Sequence, residues 1–443
     1  MRKKKKIILL GLCIGFVALL GLYLGLSALR DTAPFETKMI CSLPYTENEK
    51  IDVRYMTSAN LTGDGRKEIL VNYDVYSYEE QMIEGTLNIT MKYKEAQIAI
   101  FSSNATGDFQ KSWEYSSGLT IQTAATGDFD GDGRPDIVVG GFEVEDVDLF
   151  PPVGTSRVEV LFQEGDGAFH NVFSFDVPEF FGPGSIMTSD FDGDGRIDFI
   201  ISGLALESES PYHAYLFHNE GEGNFTASPI ALREGIIVED MWKTDIDNDG
   251  SLDLVIQATD LGSGTHSLIL LLNDGQGEFE SRKLDVPVDS MIIEDFTGDG
   301  YPSIIYIKHD QLGDRVYFLR NDKGEFTEPS SIDVLSGKII VGMISADLNN
   351  DNTPDVLFFE HHPEFREDLE RFEIDVIGHL LLIEESVDGG IFFTRAWTHK
   401  FLEDKDISLG HAAVAADIND DERLDLILVS REGEVYAALN QQT

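Results

Sequence analysis

The chain has 443 residues, which is enough for two or three average domains or for one large closed β-architecture. Its 33 basic and 80 acidic side chains give a formal net charge of −47. A surface this acidic repels nucleic acid and anionic lipid, so we expect the folded part to bind neither of them.

The first 30 residues combine a basic head with a long apolar segment. Five cations occupy residues 2–6, and residues 7–29 form an uncharged run of 23 residues. A run of this length can span a bilayer, and it exceeds the roughly 7 to 15 apolar residues of a cleavable signal. We expect an uncleaved signal-anchor whose transmembrane helix is the only contact with the membrane. The basic head then stays cytoplasmic and residues 31–443 are extracellular or periplasmic, with a cleaved signal peptide as the alternative.

An acidic loop recurs seven times after this segment. Successive copies begin 68, 62, 55, 50, 52 and 70 residues apart, which leaves room for about four short strands per repeat. Each copy is followed by a short run of apolar and β-branched residues, which is typical of a buried strand. In chain order the loops read NLTGDGRKE from Asn60, DFDGDGRPD from Asp128, DFDGDGRID from Asp190, DIDNDGSLD from Asp245, DFTGDGYPS from Asp295, DLNNDNTPD from Asp347 and DINDDERLD from Asp417.

The second loop indicates the chemistry that this pattern favours. Asp128, Asp130 and Asp132 stand at its first, third and fifth positions, and Asp136 stands at its ninth. Alternate carboxylates of a tight loop can converge on one point, the carbonyl of Arg134 can add a further oxygen, and hard oxygen ligands suit Ca²⁺. A helix-loop-helix calcium site needs an acid at position 12, where this loop has a valine, so we expect the loop to join two strands.

The other loops match this arrangement to different degrees. The third and fourth repeat it fully, the sixth and seventh have asparagine at position three, and the first and fifth have threonine there. Because an asparagine still offers an oxygen, we expect about three to seven calcium ions, with the first and fifth loops the weakest. The remaining candidate ligands are Asn60, Thr62, Asp64 and Glu68; Asp190, Asp192, Asp194, Arg196 and Asp198; Asp245, Asp247, Asp249, Ser251 and Asp253; Asp295, Thr297 and Asp299; Asp347, Asn349, Asp351 and Asp355; and Asp417, Asn419, Asp421 and Asp425.

A glycine-rich segment follows in each of the first six repeats, and such segments are typical of hairpin turns. Each repeat is therefore predicted to contain a strand, an acidic loop, a strand, a variable loop, a strand, a glycine turn and a strand. Seven four-stranded sheets in sequence predict an all-β fold, the seven-bladed β-propeller. The turns begin at Asn104, Glu164, Asn219, Asn273, Asn321 and Ser386.

These paired signatures resemble the FG-GAP/VCBS repeat family, whose propellers include the head of integrin α-subunits. The resemblance covers roughly residues 45–440, nearly all of the chain after the apolar segment. It implies structural calcium in the loop that joins the first two strands of each blade. It also implies a role in cell adhesion or in binding a partner.

The seventh repeat has no glycine turn, so its blade lacks an outer strand unless another segment supplies one. Residues 35–43 are apolar and β-branched and precede the first repeat, and we predict that they pair with residues 435–439. Cys41, in this segment, is the only cysteine of residues 31–443, because Cys13 falls in the apolar run. No disulfide can form within residues 31–443, and we expect Cys41 to pack as a small apolar side chain.

The most irregular sequence lies between the second and third strands of the repeats, on the face opposite the acidic loops. Variable loops on a rigid scaffold often carry recognition, so we expect a protein or glycan ligand there. Candidate contacts are Phe150, Pro151, Pro152, Tyr212, His361, His362 and Phe365. His361 and His362 could form a metal cluster with Glu360 and Glu364, but adjacent histidines in an acidic loop are expected to be solvated instead.

No sequence motif of a known catalytic class occurs in the chain: HExxH, GxSxG, the phosphate-binding loop and CxxC are all missing. The leading hypothesis is therefore a non-catalytic, calcium-stabilised, membrane-anchored propeller that binds a protein or glycan outside the cell. The alternative is a polysaccharide-active enzyme or lectin-like module that uses the propeller face. Two carboxylates beside exposed aromatic rings in a pocket opposite the acidic loops would favour the enzyme.

Overall fold

Seven antiparallel four-stranded sheets make up the computed structural model. Among the residues that it describes there is no helix, and hence none that could span a membrane. The predicted anchor, residues 1–30, and the side chain of Cys41 lie outside the described part. The structure describes residues 35–43, 49–61, 66–83, 86–103, 109–116, 118–146, 153–165, 167–177, 180–205, 212–232, 235–309, 313–332, 339–366, 371–385, 391–402, 413–419, 421–430 and 434–441.

The first four blades each use four consecutive strands, paired in chain order. Their strands are β2 (Glu49–Ala59), β3 (Glu68–Ile83), β4 (Thr86–Ser103) and β5 (Phe109–Tyr115); β6 (Thr120–Gly127), β7 (Asp136–Asp146), β8 (Val153–Gln163) and β9 (Phe169–Val177); β10 (Phe180–Ser189), β11 (Asp198–Ala205), β12 (Tyr212–Gly221) and β13 (Asn224–Ala231); and β14 (Ile236–Thr244), β15 (Asp253–Asp260), β16 (His266–Asn273) and β17 (Phe279–Leu284).

Blade five has a two-stranded ladder inserted before its outer strand, and blade seven takes its outer strand from the start of the chain. The remaining strands are β18 (Ser290–Glu294), β19 (Ser303–Lys308), β20 (Arg315–Leu319) and β23 (Ser330–Ile332), with the ladder β21 (Asn321–Asp322) and β22 (Glu325–Phe326); β24 (Ile340–Ala346), β25 (Asp355–Arg366), β26 (Arg371–Glu385) and β27 (Ile391–Leu402); and β28 (Ala413–Ala416), β29 (Asp425–Val429), β30 (Glu434–Asn440) and β1 (Phe35–Ser42).

The first strands of the blades form the inner wall of a closed ring. Each contacts the first strand of the next blade, and β28 of blade seven contacts β2 of blade one. On the outside of blade seven, β1 pairs antiparallel with β30, from Phe35 opposite Asn440 to Ser42 opposite Glu434. This pairing is the one expected from the sequence, and it covers an edge that would otherwise expose unpaired backbone groups.

The core lies between the blades, and this explains the strand patterns of the sequence. The second strand of each blade is covered by neighbouring blades on both faces, so its side chains are buried almost without interruption, as in β15 and β29. Outer strands such as β9 and β17 consist mainly of exposed and partly exposed residues. Continuous apolar runs therefore occur in the inner strands, such as β15 and the third strand β16, which neighbouring blades cover.

Two segments that the sequence reading treated as irregular loops are ordered strand. The insertion from Tyr76 continues β3 and returns in β4, with Tyr76 opposite Tyr93 and Ile83 opposite Thr86. The segment from Glu360 likewise continues β25 and pairs with β26 as far as Arg366. In both segments, cross-strand pairs of side chains that favour β-structure extend the hairpin of two strands. Blades one and six are therefore longer than expected.

Glu360, which the sequence places in an acidic loop, is not solvated. Its side chain is buried, and its Oε2 lies 2.6 Å from Nε2 of the buried His379, whose Nδ1 lies 3.0 Å from the hydroxyl of Thr398. The cause is the cross-strand pairing, which brings these groups together on one face of blade six. A buried carboxylate is stable only with such partners.

Candidate metal centre

The six acidic loops from the second onward share one backbone conformation, in which the first acid folds the loop. In the second loop Asp128 Oδ2 accepts the N–H of Gly133 at 3.0 Å. The residue at the corresponding sixth position donates to the first acid in every other loop of this set, at 2.8 to 2.9 Å. That residue has a positive φ even where it is not glycine, as at Asn352 (67°) and Glu422 (64°). Loss of glycine therefore does not abolish the loop in the sixth and seventh copies.

Three of these loops bring carboxylate oxygens together. Candidate ligand atoms lie within 4.8 Å of one another in the groups Asp128, Asp130 and Asp136; Asp190, Asp192 and Asp194; and Asp245, Asp247 and Asp253. These are the three loops that match the acidic pattern fully in the sequence. Thr62 and Asp64 of the first loop lie outside the described residues.

The second loop fits a bound cation. Asp128 Oδ1 is buried and has no hydrogen-bond partner among the described residues, although a buried carboxylate oxygen normally has one. Burial raises the pKa of Asp130, and the charges of Asp132 and Asp128 raise it further. In the fourth loop, burial and then the charge of Asp249 raise the pKa of Asp247. A divalent ion would supply positive charge in both loops, and in the second loop it would add to that of Arg134, which lowers the pKa of Asp130.

The acids at the ninth position, which we call the closing carboxylates, also hold the fold together. Asp136 accepts the N–H of Phe129 at 2.9 Å with one oxygen and that of Gln163 at 2.9 Å with the other. Burial raises the pKa of Asp136 to about 6. The same raised pKa, with burial as its main cause, recurs at about 6 in Asp198, Asp253 and Asp425 and at about 7 in Asp355. Each carboxylate oxygen keeps one lone pair for an ion, so the bracing role and a ligand role are compatible.

The sixth and seventh loops are arranged differently around their asparagines. The amide nitrogen of Asn349 donates to Asp351 at 3.0 Å, and its amide oxygen accepts the N–H of the same residue at 2.9 Å. Asn419 makes the equivalent pair of contacts with Asp421. The contact of the third-position oxygen with the backbone also occurs in the second and third loops, so the difference lies in the amide N–H groups, which donate to the acid at the fifth position and neutralise part of its charge.

Arginines close to the loops supply further positive charge, which the sequence reading did not anticipate. At the seventh position the guanidinium groups of Arg134, Arg196 and Arg423 pair with the acid at the fifth position of their own loop. In the fifth loop, Arg320, which follows the third strand directly, donates to Asp299 at 3.3 Å. The fourth loop has Ser251 at the seventh position, so its acids lack this internal cation.

A buried asparagine at the end of the third strand, or shortly after it in blade five, joins each of four blades to the preceding blade. Asn273 donates its amide N–H to the carbonyl of Phe191 in the third loop, at 2.9 Å, and to that of Leu252 in its own blade, at 3.1 Å. We call Asn219, Asn273, Asn321 and Asn440 the clasp asparagines, because all four bond the acidic loop of the preceding blade. The sequence marks the first three only as the start of a hairpin turn, because their distance from the acidic loops varies between repeats.

The glycine turns cover the acidic loops of the preceding blade. A Cβ added at Gly277 in blade four would lie 3.6 Å from Asp192 Cβ, and one at Gly324 in blade five would lie 3.2 Å from Asp247 Cβ. Both glycines also have a positive φ, 81° and 89°. These two turns therefore need glycine for close approach as well as for conformation, and the next blade contacts the third and fourth loops on one side while the loop tips stay exposed.

A family model for the FG-GAP-like repeat matches residues 60–139 and 295–358. These ranges contain the first and second loops and the fifth and sixth loops with the strands that follow them. The chain carries FG-GAP-like repeats. Together with the seven sheets, this confirms the family resemblance and the propeller predicted from the loops.

A search of curated proteins finds no match to this chain. Among solved structures it is similar to the exotype rhamnogalacturonan lyase YesX, with a TM-score of 0.51 and 12% identity over 93% of this chain and 77% of that one. At this identity the similarity shows the fold alone.

The face of the FG-GAP-like propeller opposite the acidic loops has its own polar cluster. His266 lies between two carboxylates, with Nδ1 at 3.3 Å from Glu239 Oε2 and Nε2 at 3.7 Å from Asp289 Oδ1. Gln257 and Thr259 also donate to Glu239. The sequence did not indicate this cluster because its members come from two blades.

The contact residues predicted on this face can be located only in part. His361 is half-buried, and its backbone N–H donates to the carbonyl of Ile339. The structure does not describe Phe150, Pro151, Pro152 or the side chains of Tyr212, His362 and Phe365.

Proposed function

We propose that this protein is a calcium-stabilised propeller that is held at the outer side of a membrane and binds a protein or glycan. The observation that carries the proposal is the second loop, where three carboxylates converge and one buried oxygen of Asp128 lacks a partner among the described residues. When bound, calcium neutralises acids that otherwise repel one another within one tight loop. The second, third and fourth loops are the sites with the most complete oxygen sets.

The binding function rests on the rigidity that these ions give to the ring. Each filled loop fixes the junction between two blades, so the loops on the opposite face keep constant relative positions. Variable segments on such a scaffold can present a recognition surface with little loss of conformational entropy on binding. Anchoring through residues 1–30 would hold this surface outside the cell.

Thermal unfolding of the full chain in calcium and in chelator tests the calcium step. At free calcium ten times the dissociation constant, each site adds about 1.4 kcal/mol, so three sites add about 4 kcal/mol. Asp130→Asn should weaken this calcium dependence, whereas Asp285→Asn, an exposed acid outside the loops, should not. Equal melting temperatures in calcium and chelator would refute the proposal.

Ligand binding is tested separately with a glycan array and with capture of cell-surface proteins by the calcium-loaded full chain. We expect a saturable ligand whose binding is lost in chelator and is unchanged in Asp285→Asn. A calcium-loaded, folded protein that binds neither class would refute the recognition function while leaving calcium binding intact.

A polysaccharide-active enzyme is the second candidate, and it is favoured by the carboxylates that flank His266. A pair of carboxylates with an imidazole between them can hold and transfer protons, and the fold is shared with a protein described as a rhamnogalacturonan lyase. Incubation with acidic polysaccharides and detection of shortened or unsaturated products tests this. Activity that is lost in His266→Gln and kept in His170→Gln, an exposed histidine outside the cluster, would establish the enzyme.

A further inference from the structure

In blades three and five, the residue that precedes the clasp asparagine contacts the acidic loop of its own blade. In blade five this residue is Arg320, which donates to the loop acid Asp299. In blade three it is His218, whose Nδ1 lies 3.0 Å from Asp192 Oδ2. In blade four it is the apolar Leu272. The third loop therefore has a nitrogen donor at a position where the fully acidic fourth loop has none.

His218 belongs to a compact group of possible metal ligands. One ligand atom from each of Asp192, Asp198 and His218 lies within 4.8 Å of the others. The two oxygens of Asp198 each accept one backbone N–H, from Phe191 at 3.0 Å and from Asn219 at 2.8 Å, and so each keeps a free lone pair. The donor set is one imidazole and two carboxylates, in contrast to the oxygen-only groups of the second and fourth loops.

The neighbouring blade holds this imidazole in place. The turn of blade four approaches so closely that a Cβ on Gly277 would lie 3.1 Å from His218 Cε1 and 3.0 Å from Leu216 Cδ2. Only glycine leaves the ring in its present position, where Nδ1 faces the loop. A ligand that is fixed before the ion arrives loses little conformational entropy on binding.

We propose that the third loop binds a divalent transition-metal ion through Asp192, Asp198 and His218. Imidazole is a poor ligand for calcium and a good one for Zn²⁺ and Co²⁺, whereas carboxylates accept either kind of ion. This proposal goes beyond calcium stabilisation: in the third loop the transition-metal ion takes the place of calcium, because both ions would use Asp192, and the oxygen-only second and fourth loops remain calcium sites. The same propeller would then bind two kinds of ion, and the single residue His218 would determine which kind the third loop binds.

The test measures Zn²⁺ and Ca²⁺ binding to the full chain, purified without a histidine tag, by calorimetry and by metal analysis after dialysis. We expect one Zn²⁺ to be retained in excess calcium, and one Co²⁺ to give visible absorption bands that change when the imidazole is removed. His218→Leu, which copies blade four, should lower Zn²⁺ affinity by at least roughly tenfold and change total Ca²⁺ affinity by less than about threefold. Far-ultraviolet circular dichroism checks that the variant folds.

Two further variants make the result specific. Leu272→His places an imidazole at the same position of blade four and should create a second Zn²⁺ site. His266→Gln removes the other histidine that lies between carboxylates and should leave Zn²⁺ binding unchanged. If wild type retains no Zn²⁺, or if His218→Leu leaves both the affinity and the Co²⁺ bands unchanged, His218 is only an ion-pair partner of Asp192 and the proposal is wrong. Zn²⁺ binding without any stabilisation by calcium would instead support this site and refute the calcium proposal.

Discussion

Because the clasp asparagines link neighbouring blades, we predict that the single substitution Asn273→Ala strongly lowers the free energy of unfolding and loosens the third loop. The Asn273 side chain is 4% exposed and makes three hydrogen bonds. Its amide nitrogen donates to the carbonyls of Phe191 and Leu252, and its amide oxygen accepts the N–H of Gly275 at 3.1 Å. The hydrogen bond to Phe191 therefore joins two blades, the one to Leu252 braces blade four, and the one from Gly275 holds the glycine turn.

The size of the effect follows from these contacts. A net contribution of about 1 kcal/mol per hydrogen bond gives about 3 kcal/mol for the three. The substitution also leaves the buried carbonyl of Phe191 without its partner, while alanine removes little apolar contact. We therefore expect the free energy of unfolding to fall by about 2 to 4 kcal/mol.

Urea unfolding of wild type and variant in saturating calcium measures this change, with amide hydrogen exchange of the third loop as a local readout. The matched control is Asn224→Ala, because this exposed asparagine bonds only within its own turn. The control should change the free energy of unfolding by less than about 0.5 kcal/mol. A similarly small change for Asn273→Ala, with no faster exchange in the third loop, would refute the inter-blade role.

Three further outcomes are expected. In chelator, the closing carboxylates with pKa values of about 6, raised from 3.8, bind protons more tightly when folded. The free energy of unfolding should therefore fall as pH rises from 4 through 6, by at most about 3 kcal/mol per site, the melting temperature should fall with it, and calcium should abolish this fall. Asp192→Ala should lower the melting temperature in calcium more than Thr297→Ala, and equal effects would contradict the ranking of the loops. Deletion of residues 31–44 removes β1 and should lower the melting temperature and promote aggregation, whereas unchanged melting would show that the outer strand is dispensable.

Much of the fold could be predicted because its signals are local and repeated. Acid spacing, turn glycines and apolar runs each lie within about ten residues, and seven copies in phase identify a propeller even where one copy is weak. The outer strand of blade seven could be predicted by counting strands. Residues 35–43 belonged to no repeat, and the strand that is now β30 had no partner at its outer edge. Extended hairpins such as β3 with β4 were harder, because their sequence lacks the alternation of a half-buried strand.

The sequence by itself determined the number of blades, the position of every acidic loop and the three loops with complete carboxylate sets. Only the tertiary structure decided what surrounds each loop. The clasp of Asn273 on Phe191, the imidazole of His218 over Asp192 and the pair of carboxylates around His266 each join residues from different strands or blades. Such contacts depend on how neighbouring strands and sheets pack, and the sequence pattern of one repeat does not specify that packing.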